Sequence, residues 1–156
     1  MRTALAVLVG VACGTVAVAR EGPEAAPEKR YGVEADLETY PQSTPKEALA
    51  SVLKAVENKR VDYLTAQLAD PEWVDRRVKD LGGKFDDLVK EATGRLVDDP
   101  GPARQLQRFL KEGEWEVKED RASVHVKDGK DHGAYFRKEG GRWFLENRYK
   151  PETGDK

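Results

Sequence analysis

GEWEVKEDRASVHVK, residues 113–127, is where the apolar spacing of the chain changes from a period near 3.6 to a period of 2. Trp115 and Val117 alternate with Glu114, Glu116 and Lys118. Ala122, Val124 and Val126 alternate with Ser123, His125 and Lys127. The alternation continues with Ala134 and Phe136 against Tyr135 and Arg137. It ends with Trp143 and Leu145 against Phe144 and Glu146. Glu119-Asp120, Asp128-Gly129-Lys130-Asp131 and Gly140-Gly141 separate the runs, and all are turn-formers. Four strands in an antiparallel meander follow from this spacing. Their expected inward residues are Trp115, Val117, Ala122, Val124, Val126, Ala134, Phe136, Trp143 and Leu145.

Working back from residue 113, the spacing predicts helices. Thr44-Pro45-Lys46-Glu47 reads as a capping box with proline at the first helical position. Leu49, Val52, Leu53 and Val56 then form one apolar stripe, and Asn58-Lys59-Arg60 stops it. A shorter helix over 61–69 faces Tyr63, Leu64 and Leu68 inward. Asp70-Pro71-Glu72 starts a third helix with Val74, Arg77, Val78 and Leu81 on the stripe and Trp73 beside it. Gly82-Gly83 ends that helix. Phe85, Leu88, Val89, Ala92 and Leu96 mark a fourth, and Leu106, Phe109 and Leu110 a fifth. Four acid-before-base pairs at i, i+4 dress these helices: Glu72–Arg76, Asp75–Lys79, Asp86–Lys90 and Glu91–Arg95. Each supports its helix by about 0.2–0.5 kcal/mol. The expected fold is α+β: N-terminal helices packed on one face of a curved four-stranded antiparallel meander, the helices being the only elements left to cover the apolar face.

The other end of the chain reads as an address. Met1-Arg2-Thr3 is a short positive start, residues 4–16 are apolar, and Ala17-Val18-Ala19 is an A-x-A cleavage site. The expectation is a signal peptide over 1–19, cleaved near Ala19 to export a periplasmic or extracellular protein. A retained anchor and lipoprotein processing at Cys13 are the alternatives. Residues 20–42 are rich in Glu, Ala and Pro and read as a disordered tether, with docking of Tyr31, Val33, Leu37 and Tyr40 as the other option. The domain is expected over 43–150, with a loose tail over 151–156. Cleavage removes the only cysteine, and loss of Arg2 takes the net charge from −2 to −3. Nothing after residue 19 is long and apolar enough to span a bilayer.

Several chemistries are excluded by residue type and spacing. The near-balanced charge gives no basic footprint for nucleic acid. His125 sits on a polar strand face and His132 in a turn, and their spacing does not suit zinc. Asp128 to Asp131 lacks the ligand spacing of a calcium loop. Ser43, Ser51 and Ser123 are in no nucleophile elbow, and Gly82-Gly83 and Gly140-Gly141 are stops and turns rather than phosphate loops. No cofactor is implied. The candidate binding residues are Arg77, an inward-facing cation suited to an anionic group, and Tyr135 and Phe144, two rings among charges on the outer sheet face.

The opening Thr44-Pro45-Lys46-Glu47-Ala48 helix, the Tyr63…Leu68-Ala69-Asp70 segment and the closing Gly140-Gly141-Arg142-Trp143 hairpin together resemble the NTF2-like superfamily (cystatin-like fold, SnoaL type). The resemblance covers residues 43–149. It implies a cone-shaped pocket between helices and sheet, and a homodimer through the sheet face. Residues 71–111 read as helix where that family places a strand hairpin, so Trp73, Phe85 and Leu88 are expected to fill or narrow the cone. The family includes isomerases and cyclases with an acid or hydroxyl inside the cone, but none of the nine inward strand residues is ionisable. The expected function is therefore an exported, non-catalytic binding or interaction module for a protein or small ligand. A small-ligand binder or an isomerase- or cyclase-type enzyme with a pocket between helices and sheet is the alternative.

Overall fold

A computed structural model of the chain describes residues 28–127 and 133–148. The expected leader with Ala19 and Cys13, the 128–131 turn, His132 and the 151–156 tail lie outside the described residues. Helix α1 spans Pro45–Glu57 and carries the full capping box: Thr44 accepts from the Glu47 amide, and Glu47 reaches back to the Thr44 amide. The expected helix over 61–69 divides into two parts. A single turn, α2 (Val61–Tyr63), runs into a π-turn, Leu64–Leu68, in which the Ala69 amide donates to the Leu64 carbonyl five residues back. Helices α3 (Pro71–Asp80), α4 (Phe85–Leu96) and α5 (Pro100–Glu112) follow, and Asp70 and Asp99 cap the first and third of these.

Strands β1 (Glu114–Val117), β2 (Arg121–His125), β3 (Gly133–Glu139) and β4 (Arg142–Glu146) form the antiparallel meander in the order β1-β2-β3-β4. The curved NTF2-like sheet expected from the sequence is not what forms. The sheet is open and uncurved, and β1 and β4 do not meet. Its ladders pair residue for residue with no inserted bulge, from Glu114↔His125 to Glu139↔Arg142. Curvature and closure need such bulges or long staggered strands. β1 has only four residues, and α3 to α5 occupy the chain that would supply more strand. The α+β class and the helix-on-sheet layering stand; the cone and the fold family built on it do not.

The inner sheet face packs on α1 and α5. Ala48, Leu49 and Phe109 meet Val124, Val126, Phe136 and Trp143 in one buried cluster. Gly113 permits this: a Cβ there would sit 2.2 Å from Val124 Cγ2 and 2.3 Å from the Phe109 carbonyl. Val117 departs from the expected inward set. It is 56% exposed at the end of β1. The opposite side of α1 packs Val52, Ala55 and Val56 on Tyr63, Leu64 and Leu68, with Tyr40 4% exposed and stacked on Tyr63. A third cluster joins Val74 and Val78 of α3 to Leu88 of α4.

Residues 28–42 are held against this body. Arg30 and Val33 bond to each other across a tight turn. Gln67, fully buried, donates to the carbonyls of Glu28 and Val33. Tyr31 stacks on Phe85 at 4.4 Å, Val33 is half-buried, and Leu37 is exposed. Composition reads this segment as a tether because its apolar content is low. The hydrogen bonds that dock it come from residues 10 to 101 positions away.

Candidate functional site

Thr65 lies in the π-turn and is 2% exposed. Its hydroxyl has no hydrogen-bond partner among the described residues. In a regular helix a threonine hydroxyl bonds a carbonyl one turn back, as Thr93 does to Val89 in α4. Thr65 makes no such bond; the residue is among those lining a cavity of about 300 Å³. Leu64 and Ala69 belong to the same wall. Trp73 of α3, Leu88, Ala92 and Leu96 of α4, Pro102 of α5 and Leu145 of β4 complete it. The lining residues are apolar apart from Thr65, Asn147 and three charged residues, Glu91, Arg95 and Glu146.

The carboxylates in that lining are occupied. Glu91 accepts from Arg77 at 2.9 Å and from Arg95 at 2.7 Å. Glu146, with a side chain 7% exposed, is held by Arg121 and Arg148. Each acid is thus bound by two guanidinium groups. Of the four expected surface pairs, Glu91–Arg95 forms. Glu72 is taken by Arg137 at 2.9 Å, and Asp75 accepts from Arg30 and from the Tyr31 hydroxyl at 2.7 Å. Among the described residues, no cluster of three or more His, Cys, Asp or Glu could hold a metal ion.

The sequence-derived site residues are not brought together. Arg77 is half-exposed on α3 and anchors Glu91, so it borders the cavity through its partner. Tyr135 is half-buried on the outer sheet face beneath the Arg148 guanidinium, 4.5 Å from its ring centre. Phe144, expected among solvated charges on that face, is 5% exposed. Its register partner Arg137 reaches Asp70 and Glu72 at the start of α3, and Arg142 lies over its ring at 5.0 Å. The start of α3 therefore folds over this end of the outer face. Arg137 is held further into its protonated form, by the Glu72 bond first and then Glu139. The same Arg137 contact keeps the Glu72 carboxyl below its ordinary range.

Beside the cavity runs a buried polar junction. Gln42 donates to the carbonyls of Gln67 and Trp143 at 3.1 and 2.8 Å. Arg142 donates to Gln42 Oε1 at 2.6 Å and to the Gln67 carbonyl at 3.1 Å. These groups meet an obligation created by Pro71. The Gln67 carbonyl would receive the amide four residues on, but that residue is proline. The Asp70 amide, four residues after Ala66, goes instead to the Leu145 carbonyl. Sequence reading misses Thr65, Gln67 and Gln42. The available signal was Pro71 itself, which leaves two helical carbonyls needing donors from elsewhere in the chain.

No protein-family model matches the chain, and no curated protein or solved structure matches it either. Among the described residues, no helix is long and apolar enough to cross a membrane.

Proposed function

We propose that this protein is a non-catalytic binding module for a small, mainly apolar ligand that carries one hydrogen-bonding group. The observation that carries this reading is an apolar cavity that has among its lining residues Thr65, whose buried hydroxyl has no partner among the described residues. A buried hydroxyl without a partner costs about 1–3 kcal/mol, and a ligand hydroxyl or carbonyl placed beside it removes that cost. The cavity volume, about 300 Å³, suits a ligand near the small end of the usual range. The carboxylates Glu91 and Glu146 are both committed to arginine pairs, which favours binding over acid–base chemistry. The leader-like residues 1–19 support an exported setting for the module. A homodimer through the outer sheet face has less support, because Phe144 is buried there and Arg148 covers Tyr135.

The test is an NMR titration of the full chain with p-cresol and with toluene, which differ by one hydroxyl. Both should shift amides around Leu64, Leu88 and Leu145. Thr65→Val should weaken p-cresol about fivefold, the worth of one ordinary hydrogen bond, and leave toluene unweakened. Absence of binding by either probe, or equal loss of both in Thr65→Val, would overturn the reading.

A further inference from the structure

The turn that presents Thr65 is held from outside by residues 28–33. The Ala66 carbonyl has no backbone donor within reach: the Ala69 amide goes to Leu64, the Asp70 amide to Leu145, and residue 71 is proline. Arg30 supplies the donor, its Nε lying 3.1 Å from the Ala66 carbonyl and a terminal nitrogen 3.2 Å from the Pro71 carbonyl. Gln67 is fastened to the same segment through the Glu28 and Val33 carbonyls. The neighbouring Tyr31 reaches α3 and α4, the helices that carry Trp73 and Leu88 of the cavity lining. Its ring stacks on Phe85 at the start of α4, and its hydroxyl donates to Asp75 of α3.

The backbone of this segment is itself under constraint. Tyr31 has φ 50° and Gly32 φ 81°, the left-handed pair of a two-residue hairpin turn. A tyrosine adopts that region only where surrounding contacts compensate. Here the compensation is the Phe85 stack and the Asp75 bond. Phe85 and Asp75 belong to the helices that supply Leu88, Ala92 and Trp73 to the cavity.

We infer that residues 28–33 are a strap that sets the geometry of the ligand cavity, with Arg30 as the positioning residue that fixes the π-turn carrying Thr65. This rests on the proposed binding reading and assigns that site its control element. Ligand affinity becomes coupled to docking of the chain just before the domain. Whatever pulls that chain away releases the Thr65 turn.

The experiment uses the full chain and the same two probes. Arg30→Met keeps the aliphatic stem and removes every donor, and Arg30→Lys restores one. Arg30→Met should weaken p-cresol about fivefold, matching loss of the Thr65 bond, and change toluene by less than about twofold. Arg30→Lys should recover part of the p-cresol affinity. Tyr31→Ala, read in the same way, tests the α4 side of the strap if Arg30→Met fails to fold. Unchanged binding of both probes in Arg30→Met and Tyr31→Ala, or parallel weakening of both, overturns the strap while the binding reading stands. Failure of the unaltered chain to bind p-cresol removes both.

Discussion

Replacing Thr65 with valine should make the protein more stable. The two side chains have nearly the same shape and are both branched at Cβ, so helix propensity and packing volume change little. What changes is one hydroxyl. It is buried in a residue only 2% exposed and has no hydrogen-bond partner among the described residues. Its desolvation cost in the native state is about 1–3 kcal/mol, and the unfolded chain returns it to water. Valine removes that cost and adds a methyl to an apolar wall. A gain of about 1–2 kcal/mol follows, which for a domain of this size raises the melting midpoint by about 4–8 °C. Urea unfolding followed by circular dichroism gives the free energy directly, and the slope should not change. Thr65→Ala serves as a contrast, because it also deletes a methyl and should forfeit most of the gain. A Thr65→Val protein no more stable than its parent would mean that the hydroxyl has a partner in solution that satisfies it without a ligand. A stabilising change that impairs binding is the expected signature of a residue kept for function.

Three further outcomes are expected. Trp143→Ala should cost about 3–5 kcal/mol, since its ring is buried between α1 and the sheet; a loss under 1 kcal/mol in urea unfolding would place the ring elsewhere. Gly113→Ala should cost about 2–3 kcal/mol, because its Cβ would meet both the Val124 side chain and the Phe109 carbonyl. An unchanged midpoint would show that α5 does not cross β2 at that distance. Glu72 has its carboxyl pulled below the ordinary range by Arg137, so its stabilising effect is complete above that range and disappears as pH falls through the lowered value. Glu72→Gln should therefore be less stable than the parent at neutral pH, and the difference should close in acid. A difference that persists at pH 2 would separate Glu72 from the Arg137 pair.

The elements of this protein are legible in its sequence where a local rule governs them. Thr44 and Glu47 form their capping box within four residues, and Asp70-Pro71 starts α3 by capping the next turn. Gly140 and Gly141, at φ 54° and 77°, make the β3–β4 turn that two adjacent glycines suggest. The two-residue alternation from Ala122 to Leu145 sets which residues face the helices, because side chains alternate across a strand whatever the strand packs against. That alternation does not set the curvature of the sheet. Curvature depends on bulges and on how far each strand extends, and the four residues of β1 and the unbulged ladders leave the sheet open.

The site depended on contacts between distant segments. Thr65 and Gln67 are polar residues in a short helical stretch. On period alone they belong on its solvated side. Instead the turn is buried all round, because α1, α3, α4 and the strap each cover part of it. The chain dictated that Ala66 and Gln67 would need donors, through the proline at 71. Only the folded chain decided that Arg30, Gln42 and Arg142 would supply them. The reason is range. Caps, turns and strand alternation are decided by neighbours a few residues apart, whereas a buried polar group takes whichever donor the packing brings within 3 Å. The sequence alone determined the order and type of most elements and the inner face of the sheet. Packing decided the flat sheet, the docked strap and the unanswered hydroxyl of Thr65.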